Sequence, residues 1–491
     1  MPNTFLGIET TRRALQTHQR SLETTGHNIA NANTEGYSRQ QAVLSASQPY
    51  TVPTLHSNLT AGQLGTGVEV NQIRRIRNDY LDVQVRDSAS SLHYWQAQED
   101  IFARIESVFP EPGATGIGDT LTKFFSTWHD LNNNPQDPGV KATVAEVGDE
   151  LATLMRETYT QLSNISESVA EIKDDGTGNL VLSGGQMRDQ VNAVNDILKQ
   201  IRDVTEAIKK VYAHGNQPND LLDKRDLLLD QLAQYGPVSA THLTNGGKPT
   251  GEINFTFYGV DVRAAGITVD LEYVSGTDDE VNLTDEVNLT IKDSTNTTLP
   301  SISLADSLSG SLAGLEEIRT RIAGYQEQLD NLAGALRYTL NQILNPEFFT
   351  GELKKGDFMV TSNVMNNPAT NIDGTKAIYV ARLYNISMDG SIVDLGDDVK
   401  VTTSDLSGAT YSEYFNGLLA DIGARSGSAS DMSENQQAIN EQILSLRESA
   451  SGVNLDEELS LLIQFQHGYQ ASARVMTTLD ELLDHLINRT G

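Results

Sequence analysis

The stretch that decides the architecture is Leu455-Asp-Glu-Glu-Leu459-Ser-Leu-Leu462, continuing through Tyr469, Ala473 and Met476 to Leu479, Leu483 and Leu486. Its apolar residues step by three, four and seven, which lays one stripe along one side of a helix. Asn454 stands ahead of it as a cap. Asp456, Glu457 and Glu458 fill the first turn, where the helix dipole favours negative charge. A helix from Leu455 to Asn488 runs roughly 50 Å at about 1.5 Å per residue. Only three residues follow it, so its stripe calls for a partner from an earlier part of the chain.

The other end offers one. Ile8, Leu15, Leu22 and Ile29 recur every seven residues, but the half-steps Arg12, Gln19 and Gly26 are not apolar. A seam one residue wide per two turns is too thin to hold a helix in isolation. Two amphipathic helices, each unfinished alone, argue for pairing of the two ends. Periodicity alone leaves open that both are ordinary surface helices of one large globule.

The bulk properties narrow the function. At 491 residues the chain has room for several domains and ample cores. Its formal charge of −31 disfavours nucleic acid and an anionic membrane face as partners, because phosphate binding needs cationic surface. Cysteine is absent, which removes disulfides, thiol catalysis and thiolate metal sites. No apolar run approaches the roughly 18 residues of a membrane span, and the first residues lack the basic-then-apolar layout of a cleaved signal peptide.

In chain order, the first helix closes at Ala30 and a tight turn follows, Asn31-Ala-Asn33-Thr-Glu-Gly36-Tyr-Ser-Arg-Gln40. Val68 to Ile76 alternates like a strand, and helical period returns at Leu92, Trp95, Phe102, Ile105 and Phe109. A shorter helix follows around Leu121, Phe124, Trp128 and Leu131. Asp137 then caps a long helix with Pro138 in its first turn, and its apolar positions run from Val140 to Ile172. Residues 174–185 read as a turn. A return helix uses Val191 to Val211, and another runs from Asp220 to Tyr235.

Between Val238 and Ser303 the apolar residues alternate instead: Ile253, Phe255, Phe257; Ile267, Val269, Leu271, Tyr273; Val281, Leu283, Val287, Leu289, Ile291. This β-rich insert carries three Lys/Arg against ten Asp/Glu, a balance suited to an outer surface. Helix resumes from Leu308 to Ile343, a β-leaning block runs from Glu347 to Thr410, and helices start at Tyr411 and again at Met432. The expected fold is mainly α with β-rich inserts. Its expected domains are 1–45 with 452–491 as a terminal coiled coil, 46–236 with 304–345 and 411–451 as a helical shaft, 237–303 as a β-rich outer domain, and 346–410 as a second β-leaning block.

The search for chemistry is short. No two of the nine histidines lie within five residues, and there is no His-Glu-x-x-His, so no metal site is expected. Gly246-Gly-Lys-Pro249 lacks both the Ser or Thr and the flanking glycine of a phosphate loop and reads as a turn. Asp278, Asp279, Glu280, Asp285 and Glu286 are not spaced as an EF-hand loop; a solvated acidic face is the better reading. There is no Gly-x-Ser-x-Gly elbow. No catalytic residue and no cofactor are expected.

These residues carry a resemblance. Gly26-His-Asn28-Ile-Ala-Asn31-Ala-Asn33-Thr-Glu-Gly36-Tyr37-Ser38-Arg39-Gln40 resembles the N-terminal signature of bacterial flagellar rod, hook and hook-associated proteins. The Tyr-Ser-Arg-Gln ending is similar to the hook-associated branch, whereas rod and hook proteins more often have Gly-Phe there. Four further stretches agree: Phe124 to Pro138, Pro218-Asn-Asp-Leu-Leu-Asp-Lys-Arg-Asp226, Gly310-Ser-Leu-Ala-Gly314, and Ser451-Gly-Val-Asn-Leu-Asp-Glu-Glu458 through Ala473. One departure is Glu35, where the family usually has Pro.

The resemblance implies a non-catalytic subunit of the hook–filament junction, in the flagellum and outside the cell, exported through the flagellar type III channel without a cleaved signal. It implies that the end helices pair in the inner tube, ordered by neighbouring subunits. The expected interface residues are Ile8, Leu15, Leu22 and Ile29 against Leu455, Leu459, Leu462, Tyr469, Ala473, Met476 and Leu483. The implied partners are further copies in a ring, the hook protein, the second junction protein and an export chaperone at the last helix, with no nucleic acid or membrane. The alternatives are a hook or rod subunit or, from another class, a surface adhesin or secreted hydrolase on a flagellar scaffold.

Overall fold

The computed structural model describes residues 3–49, 65–110, 116–174, 180–245, 248–264, 266–274, 286–292, 301–397 and 399–488. Val281, Leu283, the acidic residues 278–280 and 285, and Gly246-Gly247 lie outside them.

Helix α1 (Asn3–Ala30) is followed by the antiparallel pair β1 (Gln40–Ala46) and β2 (Val68–Arg75). Next come α2 (Asp79–Val108), α3 (Ile117–Asn133) and α4 (Pro138–Val169). Asp137 caps α4, its carboxylate accepting from the amides of Gly139 and Val140. The sequence period expects α4 to reach Ile172. Instead Ala170 is extended, and β3 (Glu171–Asp174) pairs with β4 (Leu180–Gly184) where a simple turn is expected.

After α5 (Gln186–Ala213) and α6 (Asn219–Ala233), strands β5 (Val238–Asn245), β6 (Lys248–Phe257) and β7 (Val260–Asp261) form one sheet. Strands β8 (Thr268–Val274), β9 (Glu286–Lys292) and β10 (Ile302–Ser303) form another. Helix α7 (Ser311–Ile343) precedes a stretch of short paired strands with three small helices, α8 (Ser362–Asn366), α9 (Pro368–Asn371) and α10 (Ala377–Leu383). This block therefore mixes helix into what the sequence reads as β-leaning. The chain closes with α11 (Tyr411–Ser451) and α12 (Leu455–Asn488).

Two helices differ from expectation for identifiable reasons. Helix α2 starts thirteen residues before Leu92. Its first turns bury Asp82, Arg86, Ser88 and Ser90 with Val85 as the one buried apolar side chain among them, while Tyr80 and Val83 are exposed, so the apolar period is weak there. Helix α11 is one helix, not two. Gly423 and Gly427 sit inside it without the left-handed backbone that would mark a break.

The chain divides into two compact units. One comprises residues 1–89, 196–265 and 438–491; the other, 90–195 and 266–437. The expected 237–303 insert is thus shared between them, β5–β7 in the first and β8–β10 in the second.

The second unit is built around aromatic packing. Trp128, Phe124, Phe348 and Phe349 are fully buried together, and the Phe125 ring stacks on Tyr411 at 5.6 Å. Gly148 is required there, because a Cβ would fall 2.7 Å from the Phe348 ring. Gly314 likewise lets α7 approach α2, since its Cβ would fall 2.4 Å from the Tyr94 carbonyl oxygen. A buried pair, Glu316 with Arg319 at 2.7 Å, also accepts the amide of Val287 and so ties β9 to α7.

In the first unit, α5 and α6 bury Ile201, Ile208, Leu222, Leu229 and Leu232. The sheet β5–β6–β7 adds Val238, Ile253, Phe255 and Phe257 to the core.

Candidate functional site

The first unit brings α1 and α12 together as an antiparallel pair. A Cβ at Gly7 would touch Leu479 at 3.4 Å, one at Gly468 would meet the His18 ring at 2.5 Å, and Asn28 donates to Glu458 at 3.0 Å. Moving from 7 to 18 to 28 along α1 moves from 479 to 468 to 458 along α12, so the register holds without a slip. The small residues Gly7 and Gly468 bring the two backbones close.

Helix α1 is more polar inside than its sequence period suggests. Its buried positions are Thr11, Thr17, Ser21, Thr24, Thr25 and Asn28. Their hydroxyls are satisfied locally: Thr11, Ser21 and Thr24 donate to the carbonyls of Gly7, Thr17 and Arg20, while Thr17 donates to Val68 of β2. Small hydroxylated side chains let the helix lie close on the β1–β2 pair. Ile8, Leu15, Leu22 and Ile29 are half-buried.

On α12, Leu461, Leu462, Phe465, Gly468, Ser472, Ala473, Met476, Leu479 and Leu483 are half-buried. Leu455, Leu459 and Tyr469 are 47%, 48% and 40% exposed in the single chain. Ile463, Val475 and Leu482 are exposed as well. The covered face is therefore turned slightly from the stripe that the sequence period picks out. Burial lowers the pKa of His18, which lies beside Phe465 between the two helices.

The turn after α1 forms a lock across the unit. Asn28 donates to the Gln40 carbonyl at 2.8 Å and to Glu458. Its Oδ1 accepts from the Gln40 amide at 3.0 Å and the Tyr37 hydroxyl at 2.8 Å. Arg39 donates to Glu458 at 2.7 Å and Glu457 at 3.0 Å, and its amide donates to the Ser451 carbonyl. Asn454 caps α12 through the amides of Asp456 and Glu457. Gly36 holds a left-handed φ of 75°, with Leu227 only 3.1 Å from where a Cβ would stand. Asn31 donates to the His27 carbonyl within the turn, while Asn33 is exposed, as is Glu35.

A second signature stretch closes on the first. From α6, Asn219 donates to Gln40 and to the Ile73 carbonyl, both at 3.0 Å, and Asp220 accepts from Gln40 at 2.8 Å. Asp223 accepts from the Ser38 amide and from Arg75, and Asp226 from Arg75 and Arg77. Arg77 also pairs with Asp82 at 2.7 Å. Arg86 and Arg447 both pair with Asp230, at 2.9 and 2.6 Å.

Burial by itself raises the Asp226 carboxyl, but Arg77 and Arg75 outweigh it and hold the group at about 2. Asp223 is pushed up by burial despite Arg75. Tyr37 is raised by burial and then by Asp220, Asp223 and Glu458, which fixes it as a neutral donor.

The sequence reading picks out the motif turn and the Pro218–Asp226 stretch separately, without joining them. It misses Arg75, Arg77, Arg86 and Arg447, and reads Glu458 only as a first-turn acid, whereas Glu458 is 1% exposed and bonded to Asn28 and Arg39. The available signal was the dense Arg74-Arg75-Ile-Arg77 cluster in so acidic a chain. Among the described residues no cluster could hold a metal, and no helix is long and apolar enough to cross a membrane.

Both ends of the lock match families of flagellar components. Residues 8–37 match the family described as flagella basal body rod protein, and residues 447–489 match the flagellar basal body rod FlgEFG protein C-terminal family. Both matches are to components of the bacterial flagellum. Residues 102–356, just over half the chain, match the flagellar hook-associated protein FlgK helical domain; the chain belongs to this family of hook-associated proteins of the flagellum.

It is 29% identical to flagellar hook-associated protein 1 of Bacillus subtilis (strain 168), covering 100% of this chain and 99% of that one. It is 22% identical to the protein of the same name from Escherichia coli (strain K12), covering 98% and 99%. A solved structure, that of the flagellar hook junction protein FlgK from Burkholderia pseudomallei, aligns over 55% of this chain and 46% of its own with 21% identity and a TM-score of 0.42.

Proposed function

We propose that the chain is a non-catalytic subunit of the junction ring that adapts hook to filament. The observation that carries this is the α1–α12 pair, which leaves large apolar side chains exposed beyond its covered face, Leu455, Leu459, Ile463, Val475 and Leu482. Exposed apolar side chains of this kind are a cost in a lone chain and a gain once neighbouring copies cover them. In this reading the paired ends, 1–45 and 452–491, are the surface that neighbouring copies cover.

The partners are further copies in the ring, the hook protein and the second junction protein, with an export chaperone on α12 before secretion. The chain leaves the cell through the flagellar type III channel and acts outside it. Electron microscopy of cells lacking the gene, with flagellin assayed in the medium, tests this. Hooks without filaments and flagellin in the medium are expected. Absence of hooks would make it a hook or rod subunit, and intact filaments would favour an adhesin or a hydrolase. Unchanged export of a chain lacking 453–491 would remove the chaperone proposal.

A further inference from the structure

The first unit contains a cavity of about 330 Å³ lined by Arg74, Arg75, Arg77, Arg225 and His242, against Asp79 and Glu252. In a chain of 35 basic and 66 acidic residues, four arginines around one cavity are unexpected. Two are neutralised: Arg75 by Asp223 and Asp226, and Arg77 by Asp82 and Asp226. On the acidic side Glu252 is taken by Lys209 at 3.0 Å.

Arg225 and Arg74 are left over. Arg225 is fully buried, yet among the described residues no carboxylate pairs with it. It donates to the Gly251 carbonyl at 2.8 Å, its Nη2 lies 3.4 Å from His242 Nδ1, and its Nε has no partner. Among the described residues Arg74 reaches only the Gln41 side-chain oxygen, at 3.4 Å. Asp226 acts on Arg225 only at a distance; a buried guanidinium with no carboxylate in contact is costly, and that cost falls when an anion enters.

We propose that this cavity is a binding site for a small oxoanion, a phosphate or carboxylate group held by Arg225 and Arg74 with His242 beside it. Burial of Arg225 favours a small free ion over a side chain of another protein. The site is independent of the junction role proposed above.

The test is calorimetric titration of the full-length protein with inorganic phosphate, acetate and chloride at constant ionic strength, alongside the NMR titration of His242. Saturable phosphate binding is expected, with an upward move of the His242 midpoint as the anion adds negative charge beside the ring. Arg74→Gln, at an exposed position, is expected to weaken binding by about tenfold, the worth of one charge-assisted hydrogen bond. Arg225→Lys is a second variant that keeps the charge but loses the fork, and weaker binding is expected there too.

Tighter binding of phosphate than acetate assigns a phosphate group; the reverse assigns a carboxylate. Equal heats for all three salts, or unchanged affinity in both variants, would overturn the site. Binding only of acidic peptides, with no free ion bound, would overturn it in favour of a protein partner.

Discussion

Asn28 uses one amide group to hold four atoms: the Gln40 amide and carbonyl, the Tyr37 hydroxyl and the Glu458 carboxylate. Asn28→Ala would leave these buried groups unpaired, at about 1–3 kcal/mol. Hydrogen exchange checks it: the Gln40 amide is expected to lose protection, and retained protection would show that the turn holds itself. Gly314 belongs to another signature stretch, and the reason for it is distance rather than backbone freedom. Gly314→Ala places a methyl 2.4 Å from the Tyr94 backbone oxygen, which no rotamer relieves. A loss of about 1–3 kcal/mol is expected, read as a lowered midpoint in chemical denaturation. An unchanged midpoint would mean that α2 and α7 shift apart freely.

At the scale of elements, the α1–α12 pair rests on a polar inner face and a narrow apolar one. Glu458 joins them by accepting from both Asn28 and Arg39. Glu458→Ala is expected to destabilise the pair by about 2–3 kcal/mol, because it strands two donors. Fraying measured by exchange in α1 would report it, with α3 and α4 unchanged. Leu462→Asp is expected to leave the shaft folded and to abolish incorporation into the flagellum; normal filaments on that variant would refute the pairing as an assembly surface.

How far such elements could be read depended on what they bury. The long helix after Asp137 was legible because Val144, Val147, Leu151, Leu162 and Ile165 are all buried at helical steps. The first turns of α2 were not, because Asp82, Arg86 and Ser88 are buried beside a lone apolar Val85. The face of α1 was hidden for the same reason: threonine and serine can be buried when they bond their own helix, and hydrophobic periodicity does not register them.

At the scale of the whole molecule, acid stability follows from the ion network. Asp226 sits at about 2 in the folded chain against an unfolded value of 3.8. The unfolded chain therefore takes up a proton first as pH falls, and stability contributed above pH 4 is lost between about 4 and 2, by about 2 kcal/mol. Asp223 is shifted the other way, so its protonation favours the folded chain and offsets part of the loss. Asp226→Asn is expected to flatten the acid limb of urea midpoints measured against pH, and Asp223→Asn to steepen it. Parallel limbs in both variants would place the acid sensitivity elsewhere.

The sequence by itself determined the helical ends, the capped α4, the alternation of β6, β8 and β9, and the family, since local period, caps and signature stretches are written residue by residue. Only the tertiary structure decided what those stretches do. Pro218–Asp226 and Gly26–Gln40 lie some 180 residues apart, and their bonds pass between side chains whose partners no local pattern names. The division of the 237–303 insert between two units was equally out of reach, because all its strands share one alternation and only packing assigns each sheet to a core.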